Sequence, residues 1–295
     1  MLTIEPGKIP TSLLHSHLLA AVAPRPIAFA STMDKHGKPN LSPFSFFNVF
    51  GVNPPIAIFS PSRRVKNNTI KHTLENAMET GEVVINVVNY AMVQQVSLAS
   101  TEYANGINEF EKSGFTAIES VKVKPFRVKE SPVQLECKVQ EIIHTGTEGG
   151  AGNLIICEIL LVHISEDILD ANGKIDQQKI DLVGRLGADW YVRANGNALF
   201  EVEKPLTTIG VGVDSLPDSI RLSTILTGNN LGQLGNVEKI PTIEEAKTFL
   251  QSTEWKNLEE QYDLNASDQN ANHEMAKSLL DRGRVKEALC WLMSK

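Results

Sequence analysis

Cysteine is scarce: three residues in 295, at 137, 157 and 290, with no CxxC pair among them. Neither a zinc knuckle nor a dithiol redox site is signalled, and no metal site is expected. Each cysteine reads as a small buried hydrophobe in a reducing compartment. Long apolar runs are missing too. The patch at 18–22 is hemmed in by histidine and proline, so it makes neither a signal-peptide core nor a membrane span. A soluble, cytoplasmic protein without a membrane partner is expected. Positive charge is in deficit, 28 Lys and Arg against 35 Asp and Glu for a net charge of −7. A nucleic-acid surface needs clustered excess basic residues, so no nucleic-acid partner is expected and any basic patch must be local. The common phosphate fingerprints are also lacking. No GxGxxG follows a strand, no GxxxxGK[ST] occurs, and 210-GVGVD-214 has neither the spacing nor the helix that should follow. A Rossmann unit and a P-loop are therefore unsupported.

What is present between about residues 25 and 205 is mostly strand. In 133-VQLECKVQ-140 apolar and polar residues alternate strictly, the period of a sheet with one wet face. The loop 145-TGTEGGAGN-153 joins it to 154-LIICEILLVHI-164, and the two read as a hairpin. Further strands are predicted at 26–32, 55–61 and 82–89, the middle one apolar enough to be buried on both faces. Gly37 and Pro39 place a turn at 34–40. One helix stands out, 68-NTIKHTLENAMETG-81, with Asn68 as N-cap, Ile70, Leu74, Ala77 and Met78 on one face, and Gly81 past its end. Its first turn carries Lys71, which the helix dipole disfavours unless an anion sits between them. After 240 the pattern becomes helical: 242–264 opens with Thr242 and Glu245 at capping-box spacing, a polar linker spans 265–272, and 273–295 repeats apolar residues at helical intervals. Two regions follow: a β domain over 1–240 and a helical extension over 241–295.

Two segments carry chemistry. The stretch 42-SPFSFFNVFGVNPPIAIF-59 sets Ser45 and Asn48 among phenylalanines, which suggests a turn whose polar atoms face a ligand or cap the chain. The stretch 62-SRRVKNNTIKHT-73 gathers Arg63, Arg64, Lys66 and Lys71 at the start of the predicted helix. Arginine forks, a lysine and free helix N–H groups are what a phosphate needs; a solvated basic loop is the plainer reading of the same residues. His15 and His17 have no ligand cluster around them and read as surface or interface residues. His72 is taken as exposed and not catalytic, Asp34 and Glu109 as turn and loop residues, and Trp255 and Trp291 as core of the tail.

The ordered series PRPIAFASTMDKHGKPNLSPFSFFNVFGVNPPIAIFS, RR, KHTLENAMETGEVVINVVN, FEKSGFT, KPFRVKESPVQLECKV and VGRLGADWYVR resembles the flavin reductase-like family of FMN-binding split-barrel proteins, which includes the flavoredoxins. The resemblance covers about residues 15–205 and not the tail. It implies a mainly β fold, a Greek-key split barrel with helical elements, assembled as a homodimer with FMN near the subunit interface. Carried over to this chain, Ser31, Thr32, Ser45, Phe46, Phe47 and Asn48 would line the flavin, and Arg64, Lys71 and Thr73 would hold its phosphate. Arg185, Trp190 and Tyr191 would border the nicotinamide or substrate. Hydride transfer from NADH or NADPH to flavin is the implied reaction, carried by the cofactor, so no catalytic acid–base residue is assigned. An electron-accepting protein partner fits the flavoredoxin-like alternative, in which the chain carries electrons without useful NAD(P)H activity. A flavin-free binding or scaffold protein is the remaining alternative.

Overall fold

A computed structural model describes the chain except residues 105, 203, 263–267 and 295, and describes 261 and 262 as backbone only. Contacts divide it into two units, Met1–Phe200 and Glu201–Lys295. The composition changes at 240/241, the boundary expected from the sequence. The contacts place it at 200/201, because Leu216, Ile220, Leu226 and Leu234 are buried in the core of the helical unit.

In the first unit, α1 (Thr11–Ala21) precedes strands β1 (Ala28–Met33), β2 (Pro39–Phe44), β3 (Phe47–Val52) and β4 (Pro55–Phe59). Next come α2 (His72–Thr80), β5 (Glu82–Val87), α3 (Val93–Leu98) and α4 (Glu109–Ser113), then the two-residue strands β6 (Ala117–Ile118) and β7 (Arg127–Val128). The long hairpin β8 (Val133–His144) and β9 (Asn153–Ile164) follows, then α5 (Gln177–Ile180) and the small hairpin β10 (Leu182–Arg185) and β11 (Tyr191–Ala194). Seven strands form one antiparallel sheet in the order β2-β1-β5-β8-β9-β4-β3. The expected barrel does not close: β2 and β3 are its two edges. They are consecutive in the chain, joined through Ser45 and Phe46, so the strand ends meet at one corner although no ladder links them among the described residues.

The 34–40 turn forms as its residues predict. Asp34 Oδ1 accepts from the N–H groups of His36 and Lys38 at 2.8 Å each, and Gly37 takes φ +84°, a conformation costly for a side chain with a Cβ. Other expectations are revised. The strands buried on both faces are β1 and β5, not β4: Ala28 to Thr32 and Val83 to Asn86 are all buried, whereas Ile56 and Ile58 of β4, next to the edge, are half-buried. The wet face predicted for β8 is dry over Val133–Cys137, because the β6–β7 segment covers it: Gln134 Nε2 donates to the Val128 carbonyl, and Glu136 accepts from the Val121 and Lys122 N–H groups. The helix predicted from Asn68 begins at His72 instead. Asn68 sits at φ +55° in the preceding turn and Lys71 is the N-cap, while Gly81 ends the helix at φ +69° as expected. Met78 is exposed; the packed face is Leu74 and Ala77.

Helix α2 packs those two residues against Ala28, Ala30, Ile85 and Leu135 on one side of the sheet. On the other side the turn at Met92, α3 and α4 bring Met92, Val96 and Phe110 into one cluster with Phe29 and Leu41. Burying side chains of this size contributes about 1.5–3 kcal/mol each.

The second unit holds α6 (Asp218–Arg221), α7 (Gly228–Gly235), α8 (Ile243–Leu250), α9 (Thr253–Tyr262), α10 (Gln269–Leu280) and α11 (Val285–Met293). The Thr242–Glu245 capping box forms, but the helix predicted over 242–264 breaks between α8 and α9. The 273–295 pattern likewise divides, at Gly283 with φ +73°. Of the expected linker at 265–272, residues 265–267 lie outside the described residues, Asp268 caps α10, and 269–272 are already helical. Trp255 and Trp291 are core, stacked 5.4 Å apart. No helix among the described residues is long and apolar enough to cross a membrane.

Candidate functional site

The first unit has a cavity of about 630 Å³ between the end of β2, helix α3 and the β10–β11 hairpin. Volumes of this order suit a small organic ligand. Its wall brings together Ser45, Arg185 and Tyr191 of the residues singled out in the sequence, and adds Tyr90, Gln94, Ser97 and Arg193. The spacing of Gln94 and Ser97, three apart on a helix, was the available signal for the α3 wall. Arg193 forms two bonds to Asp181, at 2.7 and 2.8 Å, and lies 3.9 Å from the Tyr90 ring centre. Arg185 lies 4.6 Å from the ring centre of Tyr191 and forms no ion pair among the described residues. Cation–π contact with Tyr191 therefore orients Arg185 toward a wall that Asp189 also lines. Trp190 is exposed on the same hairpin.

Arg25 holds this wall in place. Its guanidinium, almost fully buried, donates to Ser45 Oγ at 3.3 Å and to the carbonyls of Leu19, Val22 and Leu186. One side chain thus ties the end of α1, the β2–β3 corner and the β10–β11 hairpin. Burial first, then the nearby Arg185, draws its pKa below the usual arginine value. Arg25 lies inside the PRP motif, yet sequence alone assigned it no role. Ser45 is accordingly bonded from Arg25, whereas Asn48 is exposed and its Oδ1 accepts from the next N–H, Val49, at 2.8 Å. Of the phenylalanines, Phe44 packs on Phe59 in the core, Phe47 is half-buried, and Phe46 is exposed with its ring edge-on to His15. His15 and His17 lie on α1, not on a strand.

The other singled-out residues lie elsewhere. Ser31 and Thr32 alternate across β1 and are fully buried. Ser31 Oγ has no hydrogen-bond partner among the described residues, while Thr32 Oγ1 accepts from Asn76 Nδ2 at 3.1 Å. Thr73, buried in the first turn of α2, accepts from Asn40 Nδ2 at 2.9 Å. Thr73 therefore joins Asn40 in a buried polar pair beneath α2 and is not exposed beside Lys71. Glu109 is not a loop residue: it is buried in α4, its Oε2 accepts from the Leu41 N–H at 3.0 Å, and burial raises its carboxyl pKa. His72 is half-buried at the start of α2.

The basic cluster also resolves into distinct roles. Arg63 binds Asn68 through Oδ1 and the carbonyl, both at 2.6 Å. Arg64 and Lys71 converge on one carboxylate: Glu102 Oε1 lies 2.7 Å from Arg64 Nε and 3.3 Å from Lys71 Nζ. The cation at the helix N-terminus thus has its anion, and the Arg64 and Lys71 contacts hold Glu102 below the usual carboxylate range.

The profile of the flavin reductase-like domain matches residues 20–179. The chain belongs to the flavin reductase-like family. An uncharacterised protein of Aquifex aeolicus is 37% identical over 189 residues, covering 64% of this chain and 94% of that one. Among solved structures, nitrilotriacetate monooxygenase component B from Bacillus cereus aligns with a TM-score of 0.64 at 27% identity, over 68% of this chain and 98% of that one. A split-barrel-domain protein of Shewanella frigidimarina aligns at 0.56 and 28% identity, over 66% and 94%. The large antiparallel sheet with its helices fits the split-barrel fold of this flavin reductase-like domain, even though its edges stay open.

Family membership makes the chain an FMN-related oxidoreductase and implies a flavin, which the residues present fit in one respect that can be checked. Arg64 and Lys71 already seat an oxyanion, the Glu102 carboxylate, as a phosphate would require.

Proposed function

We propose that the flavin reductase-like domain binds FMN and reduces it with NADH or NADPH. The observation that carries the reading is the cavity beside Ser45, walled by two tyrosines and by Arg185, which forms no ion pair among the described residues, in a chain of this family. When bound, FMN supplies the hydride-accepting chemistry. The protein's share is placement and electrostatics. Arg64 and Lys71 would hold the phosphate, and the β2–β3 corner from Ser45 to Asn48 would border the flavin, with the Ser45 hydroxyl oriented by Arg25. Arg185 and Tyr191 would receive the nicotinamide nucleotide, with Trp190 at the rim. Arg185 offers a positive charge to a phosphate or carboxamide oxygen, and the ring of Tyr191 offers a flat surface for stacking. No side chain need exchange a proton.

A homodimer is part of the proposal. Edge strand β3 exposes Val49, Phe50 and Val52, an apolar row that a second copy would cover. Light scattering that reads the mass of one 32.4 kDa chain would remove it.

The test is the visible spectrum of purified protein, followed by anaerobic addition of NADH and then NADPH. Flavin bands that bleach with either donor are expected. Bands that bleach only with dithionite would replace the reductase with an electron carrier serving a protein partner. No flavin absorbance after incubation with FMN would end the flavin reading altogether.

A further inference from the structure

Glu102 lies on the surface loop between α3 and α4, its side chain 61% exposed, and it meets two cations at once. Arg64 is held from one side, where Nη1 donates to Thr69 Oγ1 at 3.0 Å and to the Ile70 carbonyl. Its Nε edge faces Glu102. Lys71 Nζ reaches the same oxygen and has no other described ion-pair partner. The arrangement is therefore a preformed seat for one oxyanion, closed by a carboxylate from a different part of the chain. Glu102 is the more exposed member, with Arg64 at 19% and Lys71 at 30%, so it is the one free to turn into water.

We propose that Glu102 is a resident counter-ion which the phosphate of the flavin displaces, so that Glu102 sets how tightly the chain holds FMN relative to unphosphorylated flavin. The inference rests on the reading that FMN binds with its phosphate on Arg64 and Lys71. A phosphate monoester carries more charge than a carboxylate and has three acceptor oxygens, so it outcompetes Glu102 for both cations. Two carboxylate contacts are lost when it arrives, and the freed carboxylate then stands as a like charge beside the phosphate. Both effects lower FMN affinity in the wild-type chain and leave riboflavin, which has no phosphate, unaffected.

The experiment titrates FMN and riboflavin into flavin-depleted full-length protein by fluorescence, using wild type, Glu102→Gln, Glu102→Ala and the Arg64→Ala/Lys71→Ala pair at low and high salt. Glu102→Gln should tighten FMN by about 3- to 10-fold, the range set by two exposed ion pairs, and leave riboflavin unchanged. The gain should shrink in high salt. Glu102→Ala should behave alike, which separates loss of charge from any effect of the amide. If both Glu102 variants bind FMN as wild type does, or more weakly, Glu102 is a bystander or a brace for Arg64 and the inference fails. It fails alone if the Arg64/Lys71 pair still weakens FMN selectively. If that pair weakens FMN and riboflavin equally, or no variant binds either flavin, the phosphate seat falls and the inference falls with it.

Discussion

Glu136 offers the sharpest test of how the β unit is held together. Its side chain is fully buried in β8, where the alternating sequence pattern expects a residue in water. One oxygen accepts from the Val121 N–H at 2.9 Å and from His163 Nε2 at 2.7 Å; the other accepts from the Lys122 N–H. Arg127 Nε lies 3.8 Å away. Burial pushes this carboxyl upward, but the two N–H groups and His163 together bring it below the usual carboxylate range. In Glu136→Gln the shape is kept while one oxygen becomes an NH₂, which must then face a donor whichever way the amide turns. One charge-assisted bond is lost, worth about 1.5–3 kcal/mol, and a buried donor is left without a partner, at about 1–3 kcal/mol more. A total near 4 kcal/mol should lower the melting temperature of a unit this size by about 8–16 °C. Calorimetry of the full chain would read it, with the transition of the helical unit unmoved. Because the folded pKa is depressed, the Glu136 contribution is complete above the unfolded value near 4.3 and lost as pH falls through the folded one. The gap between wild type and variant should therefore narrow on acidification below about pH 4. A variant that melts with wild type at neutral pH, or a gap that widens in acid, would refute this account.

Further outcomes follow from other contacts. Arg25→Ala strips donors from the carbonyls of Leu19, Val22 and Leu186 and should destabilise the β unit by about 3 kcal/mol; Arg25→Lys should recover part of that stability, and thermal melts of the two variants would show the order. Thr242→Ala removes the cap on α8, whose Oγ1 accepts from the Glu245 N–H at 3.2 Å, and should cost the helical unit about 1 kcal/mol by calorimetry. Gly187→Val would bring a Cβ within 2.9 Å of the Ala20 Cβ. Limited proteolysis should cut α1 faster in that variant, because the packing between the helix and the β10–β11 turn is lost.

Much of the order of elements was legible in the residues. The β8–β9 hairpin follows from β-rich runs around a glycine-rich loop, the 34–40 turn from Asp34 and Gly37, and the end of α2 from Gly81, because in each case chemistry a few residues apart decides the outcome. The boundary at 200/201 was not legible, since the apolar residues around α6 and α7 are interrupted by glycine, proline and polar residues and form only short helices, and they reveal their role only when Ile220 and Leu234 join Trp255 and its neighbours in one core. Nor was the grouping of the candidate site. Ser31, Thr32 and Thr73 read as ligand contacts, and burial places them under the sheet and helix. Arg25 joins two carbonyls at the end of α1, the Ser45 hydroxyl and the Leu186 carbonyl in a distant hairpin.

The sequence by itself determined the family, the 34–40 turn, the helix ends at Gly81 and Thr242, and a basic cluster in need of an anion, because those depend on side-chain type and short spacing. Tertiary structure alone decided that the anion is Glu102, that Glu136 is dry and that Ser45 answers to Arg25. Each of these depends on which distant segment covers a residue, and that is set by how the strands pair and what packs on their faces.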